Sequence, residues 1–520
     1  MIPTLRIPSP AAPVVLLSIA LAIGCGGDET TKKDAGNIDA GDGQALQCTS
    51  WLGTPNGESS PTEVAGAPND GAVSTTFDPE GTKLDDKLFD LGVQSGEMKP
   101  ESVVLWTHVS EEADLLLRVW RDDPAAGKVA LVYDAAVMAT AAGIVQVPVE
   151  GLAPATVYHY AFFEGTAEAI GSRSRIGRVR TAPMADTELK LRLGATTCVG
   201  SSSETDREKL LPFPALAAMG GEDLDFVVHM GDVSYNDGAE TLADFRAAWA
   251  RTLGVEGYKT LLGSTGMYAT WDDHEVRDNC TDDGVPESVF KAARQTWDEF
   301  LPTTRKAEDP IWGSYTWGKT VEVIVMDLRT ERDPDTMDTA DATFVSQEQL
   351  DFVKKRLQET DAHFKLIMSS VNMTNLGPEG GWDTPLSLHD RWEGYGAQRT
   401  ELLDHIVDNG IRNVWFLAGD IHMGFVGRIE PEDHEYGHMW EITVGPGASS
   451  ANPLGALVVA ELSAIEEFFP CRQFAFGHGY QEVETYLELD PGADTIRVTF
   501  KRTDTGDVLF DEIMRQEEPR

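Results

Sequence analysis

Four short segments carry residue types that bind metal ions, and each directly follows an apolar run. The segments are Thr197-Cys198, Gly231-Asp232-Val-Ser-Tyr235, Trp271-Asp272-Asp273-His274-Glu275 and Gly419-Asp420-Ile-His422. The preceding runs, 191–195, 226–230, 267–270 and 414–418, are typical of buried parallel strands. Open α/β sheets keep their sites in the loops at the carboxyl ends of such strands. Four such loops therefore predict a centre of two or three metal ions.

Each motif alone has a simpler explanation. An Asp after Gly at a strand end is often only a turn residue or a helix cap, and a lone Cys198 would be a small buried hydrophobe. The run from Asp272 to Glu275, however, places three carboxylates and an imidazole on four consecutive residues. Such a cluster is costly to desolvate unless cations neutralise it. The joint pattern therefore favours metal binding.

The donor atoms fall into two chemical classes. The Cys198 thiolate, the Tyr235 phenolate and the His422 imidazole suit a transition ion, and phenolate with thiolate suits ferric iron. Asp273, Asp420 and Asn279 offer hard oxygen donors that suit Ca²⁺ or Mg²⁺. Asp272 either binds a further hard cation or supports the ligands from behind, and the sequence leaves both alternatives open.

The same motifs resemble a known family. Gly231-Asp232-x-x-Tyr235 resembles a motif of the purple acid phosphatases, which belong to the calcineurin-like metallophosphoesterases. Two further motifs of that superfamily, Gly-Asn-His-Glu and Gly-His-x-His, correspond here to residues 272–275 and 419–422. The residues that replace the superfamily's own in these two motifs, together with Cys198, resemble the pattern of the PhoD-like phosphatases. Segments 89–96, 102–107, 151–160 and 392–395 also resemble that family, so the resemblance runs from about residue 89 to near the C-terminus. Segments 275–280 and 327–332 depart from the family pattern. Ser369-Ser370-Val-Asn372 stands where the superfamily has its middle histidine, which predicts an oxygen-rich second metal site.

The resemblance implies a metal-dependent phosphoric ester hydrolase. The expected activity is that of an alkaline phosphatase with phosphodiesterase activity on phosphomonoester or phosphodiester substrates. Its centre would hold Fe³⁺ and Ca²⁺, with Mg²⁺ or another divalent ion as the alternative at the hard site, and Asp232 would bridge the ions. A phospholipase D-type phosphodiesterase is the alternative enzyme, and a tethered binding module with a vestigial metal site is the alternative from another class.

Two sets of side chains are candidates for handling the substrate. His274 is the candidate general acid, held in orientation by Glu275, and a direct metal ligand is the alternative role for His274. The candidate phosphate contacts are Arg329, Arg391, Arg399 and His389. Each arginine has a structural ion pair as its alternative role.

The fold class is expected to be α/β with two parts. From 86 to 183, short apolar runs alternate with turn residues at regular spacing, which predicts a β-sandwich resembling a fibronectin type III or immunoglobulin-like module. From 184 to 520, similar runs alternate with amphipathic stretches such as 346–357 and 396–407. The resemblance implies an αββα metallophosphoesterase sandwich for this second part.

The first 85 residues have the sequence pattern of an export signal followed by a linker. One positive charge, a short apolar run and small residues before Cys25 predict a signal peptide over 1–25, and Ala22-Ile-Gly-Cys25 resembles a lipobox. Cys25 would then be lipidated, which places the protein in the cell envelope on a membrane; a soluble periplasmic or extracellular protein is the alternative. The Gly-, Asp-, Ser- and Pro-rich stretch 26–85 predicts a flexible acidic tether.

Charge and cysteine content limit the remaining possibilities. The formal net charge of −44 argues against sequence-independent nucleic-acid binding, which needs a basic surface. With Cys25 lipidated and Cys198 on a metal, the favoured disulfide is Cys280–Cys471, because Cys48 lies in the tether. We expect a monomer.

Overall fold

The computed structural model describes residues 73–75, 77–123, 128–280, 284–306, 309–375, 391–450, 452 and 473–517. The chain divides into two compact units, residues 1–47 and 48–520, and all described residues lie in the second unit. None of the helices in the described ranges is long and apolar enough to cross a membrane.

The N-terminal part of the described chain is all-β. Its strands are β1 (Val73–Thr75), β2 (Val93–Gly96), β3 (Ser102–His108), β4 (Leu115–Asp123), β5 (Lys128–Val137), β6 (Ile144–Glu150), β7 (Val157–Thr166), β8 (Ala169–Arg173) and β9 (Gly177–Arg180). One sheet has the order β1-β5-β4-β7-β8 with β9 also paired to β7, and the other has the order β2-β3-β6. The strands predicted from the apolar runs of 102–162 are confirmed as β3 to β7.

The C-terminal part mixes strands and helices, as the alternating pattern predicts. The strands are β10 (Leu191–Thr196), β11 (Phe226–Met230), β12 (Met267–Thr270), β13 (Gly313–Trp317), β14 (Val321–Val325), β15 (Phe364–Met368), β16 (Val414–Ala418), β17 (Gly424–Arg428), β18 (Trp440–Thr443), β19 (Phe474–His478), β20 (Val483–Asp490), β21 (Thr495–Arg502) and β22 (Val508–Met514). The helices are α1 (Glu204–Leu210), α2 (Pro214–Met219), α3 (Leu242–Leu253), α4 (Glu256–Ser264), α5 (Glu287–Phe300), α6 (Gln347–Glu359) and α7 (Gly396–Asp408), with 3₁₀ turns at Pro334–Thr336 and Trp392–Tyr395.

Two mixed sheets form the centre of this part. One has the order β12-β11-β10-β20-β21-β22, and the other has the order β13-β14-β15-β16-β18-β17-β19. Leu193 and Phe226 of the first sheet share one apolar core with Val323 and Leu417 of the second, so the sheets pack face to face. Helices α2 to α5 cover the outer face of the first sheet, and α6 and α7 cover the outer face of the second. The described architecture is therefore helix, sheet, sheet, helix.

A local sequence signal accounts for the start of helix α6. The Ser346 side chain accepts a hydrogen bond from the Gln349 amide and so caps the start of α6. The strands β10, β11 and β12 run parallel, and so do β14, β15, β16 and β18. Because carboxyl ends of parallel strands share one edge of a sheet, the loops that follow these strands are brought together.

Candidate metal centre

The side chains of the four predicted loops converge at this shared edge. Three overlapping groups each bring ligand atoms within 4.8 Å of one another. The groups are Cys198 with Asp232 and His422, Asp232 with Asp273 and His274, and Asp272 with Asp273 and Asp420. Asp232 joins the first two groups and Asp273 joins the last two, so the groups form one continuous centre.

One end of the centre carries the sulfur, phenol and imidazole donors. The Tyr235 hydroxyl lies 3.0 Å from His422 Nε2 and donates to Asp232 Oδ2 over 3.3 Å. Ser449 Oγ lies 3.4 Å from both ring nitrogens of His422 and from the Tyr235 hydroxyl. Cys198 is fully buried. The loops after β10, β11 and β16 therefore supply the donor set that the sequence predicts for a transition ion.

The other end is rich in carboxylates and also contains one buried arginine. The Nε atom of Arg329 donates to Asp272 Oδ1 over 2.6 Å, and its Nη2 lies 3.8 Å from Asp273 and 3.6 Å from Asp420. Ser370 donates to the same Asp272 oxygen over 2.9 Å. Two donors on Asp272 Oδ1 favour the supporting role for this residue. The guanidinium of Arg329 is wholly buried among the carboxylates and acts as their counter-ion, which is the ion-pair role that the sequence left open, and its contact with phosphate stays a prediction.

Several candidate ligands have a backbone conformation that is unfavourable for residues other than glycine. Cys198, Asp232, Asp420 and His422 have φ values of 50°, 57°, 67° and 55°. Such left-handed conformations are tolerated where the surroundings or a function require them, and they cluster at active sites and ligand clamps. Their concentration on three of the four loops, those after β10, β11 and β16, indicates that these loops are shaped by what the donor atoms bind.

The pKa values of the donor side chains also favour bound cations. Burial raises the pKa of Cys198, Tyr235 and Asp232 above their ordinary values, so each needs a nearby positive charge to lose its proton. Burial lowers the pKa of His422 to about 4, which leaves the neutral imidazole that a metal requires. Asp232 Oδ1 is buried and lacks a hydrogen-bond partner among the described residues. A buried, unpaired carboxylate oxygen between two donor groups fits a bridging ligand.

His274 lies at the mouth of the centre and is held by Asp237. Its Nδ1 lies 2.8 Å from Asp237 Oδ2, and its ring stacks on Tyr235 with 4.0 Å between centroids. Burial opposes the charge of His274, but the carboxylates of Asp232, Asp237 and Asp273 outweigh it and raise the pKa to about 11. The structure therefore fixes the ring through Nδ1, while Nε2 lies 3.9 Å from the exposed carboxylate of Asp278. Asp237 was missed in the sequence, although it lies only two positions after Tyr235.

The predicted role of Glu275 as the residue that orients His274 is wrong. The Glu275 carboxylate instead accepts hydrogen bonds from the backbone amides of Asp232, Val233, Ser234 and Asp272, at 3.1, 2.5, 3.3 and 2.8 Å. Burial raises its pKa to about 7. Glu275 therefore joins the loop after β11 to the loop after β12, and it shapes the centre instead of taking part in proton transfer.

The remaining predicted residues lie in different environments. Arg399 donates to the Met373 and Ile429 carbonyls and pairs with Glu430 at 2.8 Å. These contacts give Arg399 the structural ion-pair role that the sequence left open as the alternative to a contact with phosphate. Arg391 is buried and donates to Glu393 at 3.0 Å, so its contact with phosphate stays a prediction.

Four further predictions are not decided by the described contacts. The Asn279 side chain is exposed and donates to Asp278, while its backbone amide donates to Asp273, so ligation by Asn279 stays a prediction. His389, Cys471 and Cys25 lie outside the described residues. The substrate contact, the Cys280–Cys471 disulfide and the lipidation that involve them therefore also stay predictions.

Two family models match the chain. The model described as PhoD-like phosphatase matches residues 198–498, and the model described as the N-terminal domain of PhoD-like phosphatases matches residues 74–183. The first match includes all four loops of the centre, and the second includes the all-β part.

Individual relatives agree with these matches. Alkaline phosphatase D of Bacillus subtilis (strain 168) is 24% identical over an alignment of 397 residues, and the match covers 66% of this chain and 65% of the relative. The match thus spans slightly less than two thirds of that relative's length. The solved structure of PhoD is similar in fold, with a TM-score of 0.67, 21% identity, and coverage of 82% of this chain and 89% of that chain. A purple acid phosphatase from yellow lupin (Lupinus luteus) seeds has a TM-score of 0.57 at 11% identity, and covers 82% of this chain and 74% of that chain.

Proposed function

The chain belongs to the PhoD-like phosphatase family, and from this premise we propose that it hydrolyses phosphate esters at the centre formed by its four loops. The observation that carries the proposal is the convergence of Cys198, Asp232, Asp273, His274 and His422 within overlapping groups of 4.8 Å. Intact donors in all four loops argue against a vestigial centre in a binding module. The activity proposed is that of an alkaline phosphatase that also cleaves phosphodiesters.

We further propose iron and calcium as the resident ions. Cys198, Tyr235 and His422 would hold ferric iron, Asp273 and Asp420 would hold Ca²⁺ or another hard divalent ion, and Asp232 would bridge them. When bound, such cations neutralise the phosphoryl oxygens of the substrate and activate a water molecule.

The protein's own residues then position the substrate's leaving group and its proton. With Nδ1 hydrogen-bonded to Asp237, the protonated ring carries its second proton on Nε2, the nitrogen beside the exposed Asp278. His274 gives this proton to the leaving alkoxide oxygen, and Tyr235 keeps the ring in place by stacking. Arg329 holds Asp272 and offsets part of the negative charge that a phosphate would otherwise meet.

The test measures metal content and turnover on the same protein. We expect purified protein to contain iron and a divalent ion, and to hydrolyse both nitrophenyl phosphate and bis(nitrophenyl) phosphate. His422→Ala should lose iron and most of the activity, whereas His405→Ala, a control at the end of α7, should keep both. A protein that contains no metal, or a His422→Ala variant with unchanged turnover, would overturn the proposal. Including phosphatidylcholine as a third substrate separates a phospholipase D-type enzyme from the proposed one.

The identity of the first ion has a spectroscopic test. Phenolate and thiolate donors to ferric iron give charge-transfer absorption in the visible, so the iron-loaded protein should be coloured. Tyr235→Phe should weaken or shift that absorption with iron still bound. Tyr258→Phe is the matched control, because Tyr258 is buried nearby but donates to the Val233 carbonyl. An unchanged spectrum in Tyr235→Phe would remove Tyr235 from the ligand set.

We also propose that the protein is exported and anchored by a lipid on Cys25. The support is the signal-like segment 1–25 and the small residues before the cysteine. Cys25→Ser should release the protein into the soluble fraction without changing its specific activity. Fractionation of cells labelled with a fatty acid tests this, and wild-type protein that is soluble and unlabelled would indicate an ordinary signal peptide. The same proposal includes the division of the chain into a tether (26–85), a β-sandwich domain (86–183) and a catalytic domain (184–520). It also includes the likeness of the β-sandwich domain to a fibronectin type III module.

A further inference from the structure

The C-terminal end of α5 lacks the usual means of satisfying its carbonyl groups. The last carbonyls of a helix have no partner within the helix, and a glycine after the helix or a basic side chain in its last turn often compensates. Helix α5 ends at Phe300, is followed by Leu301 and Pro302, and has no basic residue in its last turn. Of the last four carbonyls of α5, that of Trp297 receives the amide of Leu301. The carbonyls of 298, 299 and 300 therefore need donors from elsewhere.

Three strands of the N-terminal part supply these donors, one for each carbonyl. Gln94 of β2 donates to the Phe300 carbonyl at 3.1 Å, Trp106 of β3 to the Glu299 carbonyl at 2.8 Å, and Gln146 of β6 to the Asp298 carbonyl at 2.8 Å. Gln146 also accepts from the Thr303 amide at 2.9 Å, just beyond the helix. The sheet β2-β3-β6 thus caps a helix of the other part of the chain.

Helix α5 in turn contacts the loop that carries the metal-binding carboxylates. Buried rings form a continuous series, with centroid separations of 6.3 Å for Trp106–Phe300, 5.9 Å for Phe300–Trp249, 6.0 Å for Trp249–Trp297 and 5.9 Å for Trp297–Trp271. Trp271 directly precedes Asp272 and is fixed at its other side by a 2.8 Å hydrogen bond to Asp327. The series therefore leads from the capping sheet to the first residue of the loop.

A second contact from the same region holds the strand before that loop. The Tyr268 hydroxyl, on β12, donates to the Met98 carbonyl at 2.8 Å. Trp317 donates to the same hydroxyl at 2.9 Å. Both the strand before the loop and the helix after it are therefore attached to the N-terminal part.

We propose that the N-terminal β-sheets are a positioning element for the metal centre: by capping α5 they fix Trp271, and through it the placement of Asp272, Asp273 and His274. Gln94, Trp106 and Gln146 are positioning residues in this scheme, because they touch neither the metal donors nor the opening. The N-terminal part is then required for the geometry of the centre and is not a separable binding module. The inference rests on the proposed function only where metal retention is measured.

The test uses a substitution that changes one bond and preserves shape. Gln146→Glu keeps the acceptor for the Thr303 amide, removes the donor to Asp298 and places negative charge at the helix C-terminus, where it is unfavourable. Gln146→Ala removes both bonds without adding charge. Arg178→Gln is the control, because Arg178 also links the two parts but does so through the Leu224 carbonyl and Asp223, before β11, and the Ser264 carbonyl at the end of α4, without a described hydrogen bond to α5.

Amide hydrogen exchange of the full chain reports the outcome directly. Both Gln146 variants should exchange roughly three- to tenfold faster in the last turn of α5 and in residues 271–280, as loss of about one net hydrogen bond implies. They should also lose signal in the near-ultraviolet circular dichroism of the tryptophan series and release metal faster to a chelator. Arg178→Gln should change none of these.

Three results would overturn the inference. Faster exchange confined to α5 would mean that the cap does not reach the loop. Equal acceleration in Arg178→Gln would mean that any loosening of the contact between the two parts has the same effect, and unchanged exchange in both Gln146 variants would mean that the cap is dispensable. If the protein takes up no metal at all, the proposed function fails, while exchange and circular dichroism still decide the positioning role.

Discussion

At the scale of single residues, the contacts of His274 support its proposed role as the group that gives a proton to the leaving oxygen. Its Nδ1 is held by Asp237 and its ring by Tyr235, so Nε2 is the nitrogen that can reach a substrate. Asp278, outside the proposed ligand set, is a further carboxylate near this ring, at 3.9 Å from Nε2, but its side chain is 68% exposed against 16% for Asp237. The two acids therefore offer a matched pair for separating orientation from simple proximity of charge.

Asp237→Asn should impair proton transfer without removing metal. An amide in place of the carboxylate no longer fixes the ring and its tautomer, and loss of such a supporting contact typically lowers activity roughly 10–100-fold. We expect this loss on alkyl phosphates and a much smaller one on nitrophenyl phosphates, because a good leaving group departs without a proton. Turnover of both substrates with metal analysis measures it.

Asp278→Asn is the control and should stay close to wild type on both substrates. If Asp237→Asn loses both activities equally, His274 positions phosphate instead of donating a proton. If it loses metal, Asp237 supports a ligand and the proton-transfer role is rejected.

At the scale of elements, the centre exists because loops from both central sheets approach closely. Gly419 opens the loop after β16, and a Cβ atom at this position would lie 2.1 Å from Thr197 Oγ1 in the loop after β10. At Gly231, which has φ of 98°, a Cβ atom would lie 2.5 Å from Asp272 Cβ. The Gly-Asp pairs in these motifs therefore reflect contact between loops as well as ligand chemistry.

Gly419→Ala should destabilise the fold and loosen the centre together. Forcing a methyl group into packed surroundings typically costs about 1–3 kcal/mol, and here the displaced atoms belong to the loop of Cys198. We expect a lower free energy of unfolding in urea and faster loss of metal to a chelator. Gly396→Ala is the control, because a Cβ there meets no atom within 4 Å at the start of α7. Wild-type metal retention in Gly419→Ala would show that the close approach is not needed.

The elements and most ligands could be predicted because their signals are local. An apolar run followed by Asp, Cys or His predicts a strand and a site loop from a few residues, and β10, β11, β12 and β16 confirm these strands. The role of Glu275 was misassigned, and the ion pairs of Arg329 were not specified, because their partners come from distant loops. Sequence proximity to a motif cannot distinguish an arginine that faces phosphate from one buried among carboxylates.

The capping of α5 could not be predicted for the same reason. Its donors lie 152 to 206 positions from the carbonyls that they satisfy. The residues Gln94 and Gln146 have no local pattern that marks them, and the helix end alone shows only that a donor is missing.

At the scale of the whole molecule, a buried carboxylate strengthens the contact between the two parts. Glu97, just after β2, accepts hydrogen bonds of 2.7 Å from the Thr303 hydroxyl, the Thr304 amide and the Thr304 hydroxyl. Burial alone would raise its pKa, but these hydrogen bonds outweigh burial and lower it below the ordinary value. The ionised form is therefore the one that the folded protein stabilises.

Glu97→Gln should make the protein less stable in a manner that depends on pH. Because the folded pKa lies below the unfolded one, the contribution of Glu97 is fully present above about pH 4.3 and is lost as pH falls through the folded value. At neutral pH, loss of hydrogen bonds to a charged acceptor should lower the free energy of unfolding by about 1–3 kcal/mol. The difference from wild type should shrink as pH falls from about 5 to 3 in urea unfolding. Glu101→Gln, at an exposed position nearby, should match wild type throughout. A difference that stays constant with pH would show that the charge of Glu97 does not stabilise the contact.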